Sequence, residues 1–176
     1  METALKTLNR GSEVPWMLDV IVQGHQIKLT NRQKCYMAIN ISTIKINASK
    51  QKVWDTVTKA EFVKLWQYGS DLLTTWEIGS DIKFRTEWEG KVFEQRGKVL
   101  ELRPTEIVKY SLFAPTPGLE DKPENYFIMS YILTEDGIQT KLEIIQEDNR
   151  PNAVQEEPQG EENPVLKSLK DLAETD

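Results

Sequence analysis

Apolar and polar side chains alternate in seven segments between residues 39 and 146, which is the pattern of half-buried β-strands. The first segment is INISTIKIN, residues 39–47, and residues of a different period separate it from the rest. Turn sequences containing Gly, Pro, Asp or Ser join most of the others, so we predict a meander of consecutively paired antiparallel strands. These six predicted strands cover residues 72–76, 82–88, 92–102, 107–114, 126–134 and 138–146.

The residues between the first two strands have helical periodicity. Ser49 is the predicted N-cap of a first helix, whose apolar face consists of Val53, Trp54 and Val57. The sequence Thr58-Lys59-Ala60-Glu61 has the form of a capping box, which predicts that a second helix starts there. Its predicted buried face consists of Phe62, Leu65 and Trp66, with Val57 and Phe62 as a hydrophobic staple around the cap.

Both ends of the chain differ from this middle part. Residues 1–38 are predicted to be an N-terminal extension, either disordered or with a short hairpin at residues 19–30. Residues 149–162 are rich in Pro, Gly, Glu and Gln, so we predict an acidic flexible linker. Asn163 and Pro164 then have the pattern of a helix start, and the apolar positions that follow predict an amphipathic last helix. We expect one domain over residues 39–176.

Three motifs within this order of elements are similar to a known family. They are IKINASKQKVW at residues 44–54, Thr58-Lys59-Ala60-Glu61 with Lys64-Leu65-Trp66, and Trp76-Glu77-Ile78-Gly79-Ser80 before a strand. The element order resembles the helix-grip fold of the START-like superfamily, also called SRPBCC, and the motifs resemble its Aha-type family of heat-shock-protein-ninety ATPase activators. The chain departs from that family at Gly79-Ser80, where Gly-Gly is common, and at Asn163-Pro164, where an aromatic residue is common.

The resemblance implies an α+β fold in which a curved antiparallel sheet of about six to seven strands wraps around the C-terminal helix. It also implies an apolar cavity between them, suited to a lipid, sterol, polyketide or other small hydrophobic ligand. Alternation places large side chains on the inner face of the sheet, and an irregularity at Gly97 predicts a β-bulge that curves it. The predicted cavity lining is Trp66, Trp76, Phe84, Trp88, Tyr110, Leu112, Phe127, Met129, Tyr131, Leu142 and Leu169. A densely packed core without ligand space is an open alternative.

Composition narrows the function classes. The chain has 22 basic and 28 acidic residues, a net charge of −6, so we expect no nucleic-acid partner. Cys35 is the only cysteine, which excludes an internal disulfide and favours a reducing, cytoplasmic location. The sequence has no signal-peptide pattern and no apolar run long enough to span a membrane.

The sequence contains few residues in patterns typical of catalytic or metal-binding sites. The only histidine, His25, lies in the N-terminal extension, and no phosphate-binding loop or metal-ligand spacing is present, so we predict no catalytic residue, cofactor or metal site. We therefore expect a non-enzymatic domain that binds a small hydrophobic molecule. Two alternatives remain: a chaperone ATPase activator that binds a heat-shock chaperone through the outer face of the sheet, and a cyclase- or hydrolase-like enzyme with Tyr110 or Glu94 as acid or base.

Overall fold

The computed structural model describes residues 19–23, 26–30, 37–150 and 153–175. The chain divides into two compact units, Met1–Lys34 and Cys35–Asp176. In the first unit, strands β1 (Asp19–Gln23) and β2 (Gln26–Thr30) pair antiparallel. They occupy the region in which the sequence allows a hairpin, and the two residues of its predicted turn lie outside the described part of the chain.

Among its described residues, the second unit contains one seven-stranded antiparallel sheet and three α-helices. Its strands lie in the order β3-β9-β8-β7-β6-β5-β4, so the six strands of the predicted meander pair consecutively and β3 joins the last of them. The predicted α+β helix-grip fold is confirmed. The elements are β3 (Ala38–Ile46), α1 (Lys50–Thr58), α2 (Ala60–Trp66), β4 (Asp71–Thr74), β5 (Asp81–Trp88), β6 (Lys91–Arg103), β7 (Ile107–Leu112), a 3-10 turn (Pro123–Asn125), β8 (Phe127–Asp136), β9 (Gln139–Asp148) and α3 (Pro164–Glu174).

The long strand β6 contains the irregularity that helps the sheet to curve. Val99 pairs with Tyr110 and Glu101 pairs with Lys109, so Leu100 is the extra residue of a bulge. The bulge therefore lies three residues beyond the predicted position at Gly97. Gly97 has a different role, because an added Cβ there would lie 1.8 Å from the carbonyl oxygen of Ser111 on β7.

The two short helices follow the sequence prediction in part. Ser49 is the N-cap of α1, and its hydroxyl accepts a hydrogen bond from the Lys52 N–H at 3.3 Å. The predicted capping box at Thr58 is wrong, because the hydroxyl of Thr58 donates to the Trp54 carbonyl at 2.7 Å and so belongs to the last turn of α1. Helix α2 begins after Lys59, which makes no side-chain cap.

The buried face of α2 also differs from the prediction. Val63 and Trp66 are buried, whereas Leu65, predicted to be buried, is 65% exposed. The Trp66 indole donates to the Thr56 carbonyl at 2.9 Å and so ties α2 to α1. The bend at Lys59 thus sets the direction in which the short second helix faces the core.

The last helix packs on the same core as the strands. Asn163 caps α3, since its side-chain oxygen accepts from the Val165 N–H at 2.8 Å and the Leu166 N–H at 3.3 Å. Three α3 residues are buried: Leu166, Leu169 and Ala173. They join inward-facing residues of the sheet and of α1 and α2 in one apolar cluster.

Part of the predicted acidic linker runs beside the edge strand β3. The Thr43 N–H donates to the Gln159 carbonyl at 2.9 Å, and the Gln159 N–H donates to the Ile41 carbonyl at 3.1 Å. The side-chain amide of Gln155 both accepts from the Ile39 N–H at 2.9 Å and donates to the Ile39 carbonyl at 2.7 Å. These contacts cover backbone groups of β3 that no neighbouring strand pairs.

Candidate functional site

Two adjoining cavities lie between the concave face of the sheet and the helices. The larger has a volume of about 480 Å³ and the smaller about 180 Å³. Because they share five lining residues, we treat them as one cleft. The shared residues are Gln67, Phe84, Gln95, Met129 and Tyr131.

Neighbouring strands supply the floor of the cleft in register. Phe84 on β5 lies opposite Gln95 on β6, and Thr86 lies opposite Phe93, so these four side chains share one face of the sheet. Met129 and Tyr131 on β8 follow the same period of two. All of these side chains line the larger cavity.

The helices supply the opposite wall and the opening. Trp66 and Gln67 at the end of α2 line the larger cavity, as do Val165 and Leu166 at the start of α3. Tyr68 and Phe93 also line it and are 76% and 55% exposed, which places two aromatic side chains where the cleft meets solvent. Tyr68 adopts a positive φ of 50°, and with Gly69 it turns the chain away from α2.

The smaller cavity is lined by a stack of buried aromatic rings. The ring centroids of Phe84 and Tyr110 lie 5.8 Å apart, and those of Tyr110 and Tyr131 lie 6.0 Å apart. The two tyrosine hydroxyl oxygens are 3.4 Å apart. Burial raises the pKa of Tyr110 well above its ordinary value and raises the pKa of Tyr131, so both hydroxyls are neutral at physiological pH.

The polar groups of the cleft are neutral amides and hydroxyls. Gln67 and Gln95 line both cavities, and the hydroxyls of Ser70 and Thr86 in the larger one hydrogen-bond to each other at 2.6 Å. None of the described residues that line the two cavities is Asp, Glu, Lys, Arg or His. The cleft therefore combines apolar walls with uncharged hydrogen-bonding groups.

The structure brings most of the predicted lining residues to this cleft. Leu142 and Leu169 instead lie fully buried in the core and line neither cavity. Trp76 packs at the side of the core with its indole donating to the Thr58 carbonyl at 3.0 Å, and the side chain of Trp88 lies outside the described part of the structure. The predicted residues that line the cleft are Trp66, Phe84, Tyr110, Leu112, Phe127, Met129 and Tyr131.

Residues of β6 and of the segment after α2 also line the cleft, although the sequence pattern did not predict this. Phe93 and Gln95 are two residues apart, so continuing the alternation through β6 would have placed both on the inner face. Gln67 and Tyr68 lie in an irregular turn, where no periodic pattern predicts which side chains point toward the core. Val165 and Leu166 are among the apolar positions that predict α3, but that pattern does not predict that they line a cavity.

The groups considered for catalysis do not meet in the cleft. Glu94 faces away from it and lies 3.6 Å from the Lys83 ammonium, whereas Tyr110 is buried inside. Tyr126 lines neither cavity, and its hydroxyl donates to the Asp121 carboxylate at 2.7 Å. Within the described ranges, no three His, Cys, Asp or Glu side chains lie close enough together to hold a metal ion.

A curved antiparallel sheet that holds a C-terminal helix, with two short helices after its first strand, defines the START-like class of proteins. Residues 47–174 match the family model described as activator of Hsp90 ATPase homolog 1-like protein. Because this match spans more than half of the chain, the protein belongs to that family, as the sequence motifs predicted. No helix in the described part of the chain has the length and apolar character needed to cross a membrane.

Solved structures show the same architecture. The protein ChR145 from Cytophaga hutchinsonii is 34% identical, with a TM-score of 0.53 over 62% of this chain and 76% of its own. The Aha1 dimer from Colwellia psychrerythraea is 21% identical, with a TM-score of 0.56 over 78% of this chain and 96% of its own. NE0264 from Nitrosomonas europaea is 14% identical, with a TM-score of 0.59 over 77% and 94%. The last two are similar in fold alone, and the comparison with curated proteins gives no match.

Proposed function

We propose that the protein binds a small, mostly apolar molecule in the cleft and does not convert it chemically. The observation that carries this proposal is the larger cavity of about 480 Å³, which lies within the size range of small-molecule sites. The cleft opens to solvent beside Tyr68 and Phe93, and aromatic and aliphatic walls with a few polar groups are the usual lining of a small-molecule site.

Burial of apolar surface would provide the affinity. Ligand area removed from water contributes about 25 cal/mol per Å², and the walls contributed by Phe84, Met129 and Val165 are apolar. The amides of Gln67 and Gln95 would orient the ligand, because a few polar groups in an apolar site fix the position of a bound molecule. The cytoplasmic location expected from the single cysteine is part of this proposal.

Two observations favour binding over catalysis. General acid–base chemistry near neutral pH needs a group whose pKa lies close to that pH, and burial moves the pKa of Tyr110 further away from it. The carboxylate of Glu94, the other candidate, lies on the opposite face of β6 from Gln95. Tyr110 and Glu94 therefore do not form an acid–base pair.

Chaperone ATPase activation is the second candidate function. It rests on the description of the family that the chain matches. We rank it behind ligand binding because the cleft has a defined lining and volume, whereas only the family description supports a chaperone contact on the outer face of the sheet. A cleft that takes up no ligand in the experiment below would move the activator function to first place.

The test is titration of the full chain with N-phenyl-1-naphthylamine, an uncharged probe that fluoresces in apolar surroundings. We expect saturable binding at one site. Thr86→Trp should weaken it by about tenfold or more, because the new indole would occupy the larger cavity and a loss of 1.4 kcal/mol is a factor of ten in affinity.

The matched control is Glu87→Trp, which adds the same indole to the opposite face of the same strand. It should change probe affinity by less than about twofold, as expected for an exposed site away from the cleft. Thermal melts followed by circular dichroism establish that both variants are folded. Absence of saturable binding, or equal effects of the two substitutions, would contradict the proposed site.

A further inference from the structure

The hydroxyl pair of Tyr110 and Tyr131 has an unused hydrogen-bond donor. Two hydroxyl groups contain two hydrogens, and a bond between their oxygens uses one of them. Among the described residues, the structure gives these hydroxyls no hydrogen bond except the one to each other, at 3.4 Å. One O–H group is therefore left without an acceptor among the described residues, so water in the cavity or a bound molecule must accept from it.

The location of the pair connects this donor to the cleft. Tyr110 lines the smaller cavity, and Tyr131 lines both cavities. Desolvation keeps both phenols protonated, so the free hydrogen is present at physiological pH. An acceptor oxygen on a bound molecule would satisfy the donor within an otherwise apolar space.

The charge of the residues around the cleft limits the chemical class of the bound molecule. The described residues that line these two cavities are all uncharged, and moving an unpaired ionic group from water into such a site is costly. A further pocket of about 150 Å³ shares Ser42, Met129 and Ile144 with the larger cavity and is also lined by Glu156 and Glu157, whose carboxylates would repel an anion. Arg150 lies 4.7 Å over the ring of Phe127, a lining residue, but Asp148 binds its guanidinium with hydrogen bonds of 2.6 and 2.9 Å. This cation is therefore already neutralised by its own partner.

We propose that the cleft selects an uncharged aromatic molecule with a carbonyl or ether oxygen, which accepts a hydrogen bond from the Tyr110–Tyr131 pair. This inference rests on the proposed function and adds the ligand class. The aromatic part follows from the rings of Trp66, Phe84 and Phe93 in the lining, since flat rings pack well against one another.

The test compares three naphthalenes of similar size by equilibrium dialysis against the full chain. 2-Acetylnaphthalene is neutral and has an acceptor, 2-ethylnaphthalene is neutral without one, and 2-naphthoate is an anion. We expect the ketone to bind about threefold to tenfold more tightly than the ethyl compound, the range of one net hydrogen bond. The naphthoate should bind at least about tenfold more weakly than the ketone, because its charge would be desolvated without a partner.

The decisive variant is Tyr110→Phe with Tyr131→Phe, which removes both hydroxyls and keeps the rings. It should abolish the preference for the ketone over 2-ethylnaphthalene. Its thermal midpoint should stay the same or rise, because replacing both members of a poorly satisfied buried pair with apolar groups of the same shape is nearly neutral or stabilising. Tyr126→Phe is the matched control, since this hydroxyl is bonded to Asp121 outside the cleft and its loss should leave the preference intact.

The outcomes separate this inference from the proposed function. If none of the naphthalenes binds, both are overturned. If they bind but the ketone has no advantage, or the naphthoate binds most tightly, only the ligand class is overturned. A ketone preference that survives in the double variant would overturn the assignment to the tyrosine pair, as would a clear loss of thermal stability in that variant.

Discussion

Gly97 shows how one backbone position constrains this sheet. It lies on the inward-facing period of β6 between Gln95 and Val99, where a large apolar residue would otherwise be expected. A Cβ atom at this position would lie 1.8 Å from the carbonyl oxygen of Ser111 and 2.6 Å from its carbonyl carbon. Because both atoms belong to the backbone of the neighbouring chain segment, only a shift of β6 against β7 would relieve the clash.

We therefore predict that Gly97→Ala lowers the free energy of unfolding by about 3 kcal/mol or more, in the range of severe steric substitutions. Gly160→Ala is the control, since its Cβ would meet the movable carboxylate of Glu162 at 3.1 Å and the Thr43 carbonyl oxygen at an ordinary contact distance of 3.6 Å, and we expect a change below about 1 kcal/mol. Urea denaturation of the three proteins measures both effects. Equal losses would mean that the close approach at Gly97 is not what constrains the sheet.

At the scale of elements, α3 is short and depends on its ends and on its buried face. It has 11 residues, and a helix of this length is marginal in water without tertiary contacts. Leu166, Leu169 and Ala173 provide those contacts. Asn163 satisfies two N–H groups of the first turn, and Pro164 needs no acceptor because it has no N–H.

Removal of this cap should be measurable. Asn163→Ala is expected to lower the free energy of unfolding by about 1 kcal/mol, because the Val165 and Leu166 N–H groups lose their acceptor. Asn163→Ser retains a capping oxygen and should lose less than about half of that amount. Thermal and urea denaturation would test this order, and a serine variant as unstable as the alanine variant would contradict the capping role.

At the scale of the molecule, the core belongs to the second unit. Every described member of the apolar cluster lies between Ile44 and Ala173, in the sheet, the three helices and their connections. The cleft is lined by described residues of the same unit, from Ser42 to Leu166. A single contiguous core of this kind is the usual basis for independent folding of a domain.

We accordingly predict that a fragment of residues 37–176 folds without residues 1–36 and keeps its probe site. Its thermal midpoint should lie within about 4 °C of the full chain, which corresponds to roughly 1 kcal/mol for a domain of this size. Circular dichroism melts and the N-phenyl-1-naphthylamine titration measure the two properties. An unfolded fragment would show that the N-terminal residues are needed for the stability of the second unit.

The strands and the consecutive pairing of six of them follow from the sequence, because alternation with a period of two and turn residues are local properties. The Asn163 cap is equally local. The fold class followed from the resemblance of the element order and the motifs to a known family. The capping box predicted at Thr58 is wrong because the hydroxyl, which could accept from the Glu61 N–H, instead donates to the Trp54 carbonyl one turn earlier.

The cleft itself was decided by tertiary structure. Phe84, Tyr131 and Leu142 are all large residues at inward-facing positions, and the sequence pattern treats them alike. Leu142 is covered completely by the core, whereas Phe84 and Tyr131 lie where the facing layer leaves a space. Periodicity determines which face of a strand a residue occupies, but only the packing of distant elements determines whether that face meets another side chain or an open cavity.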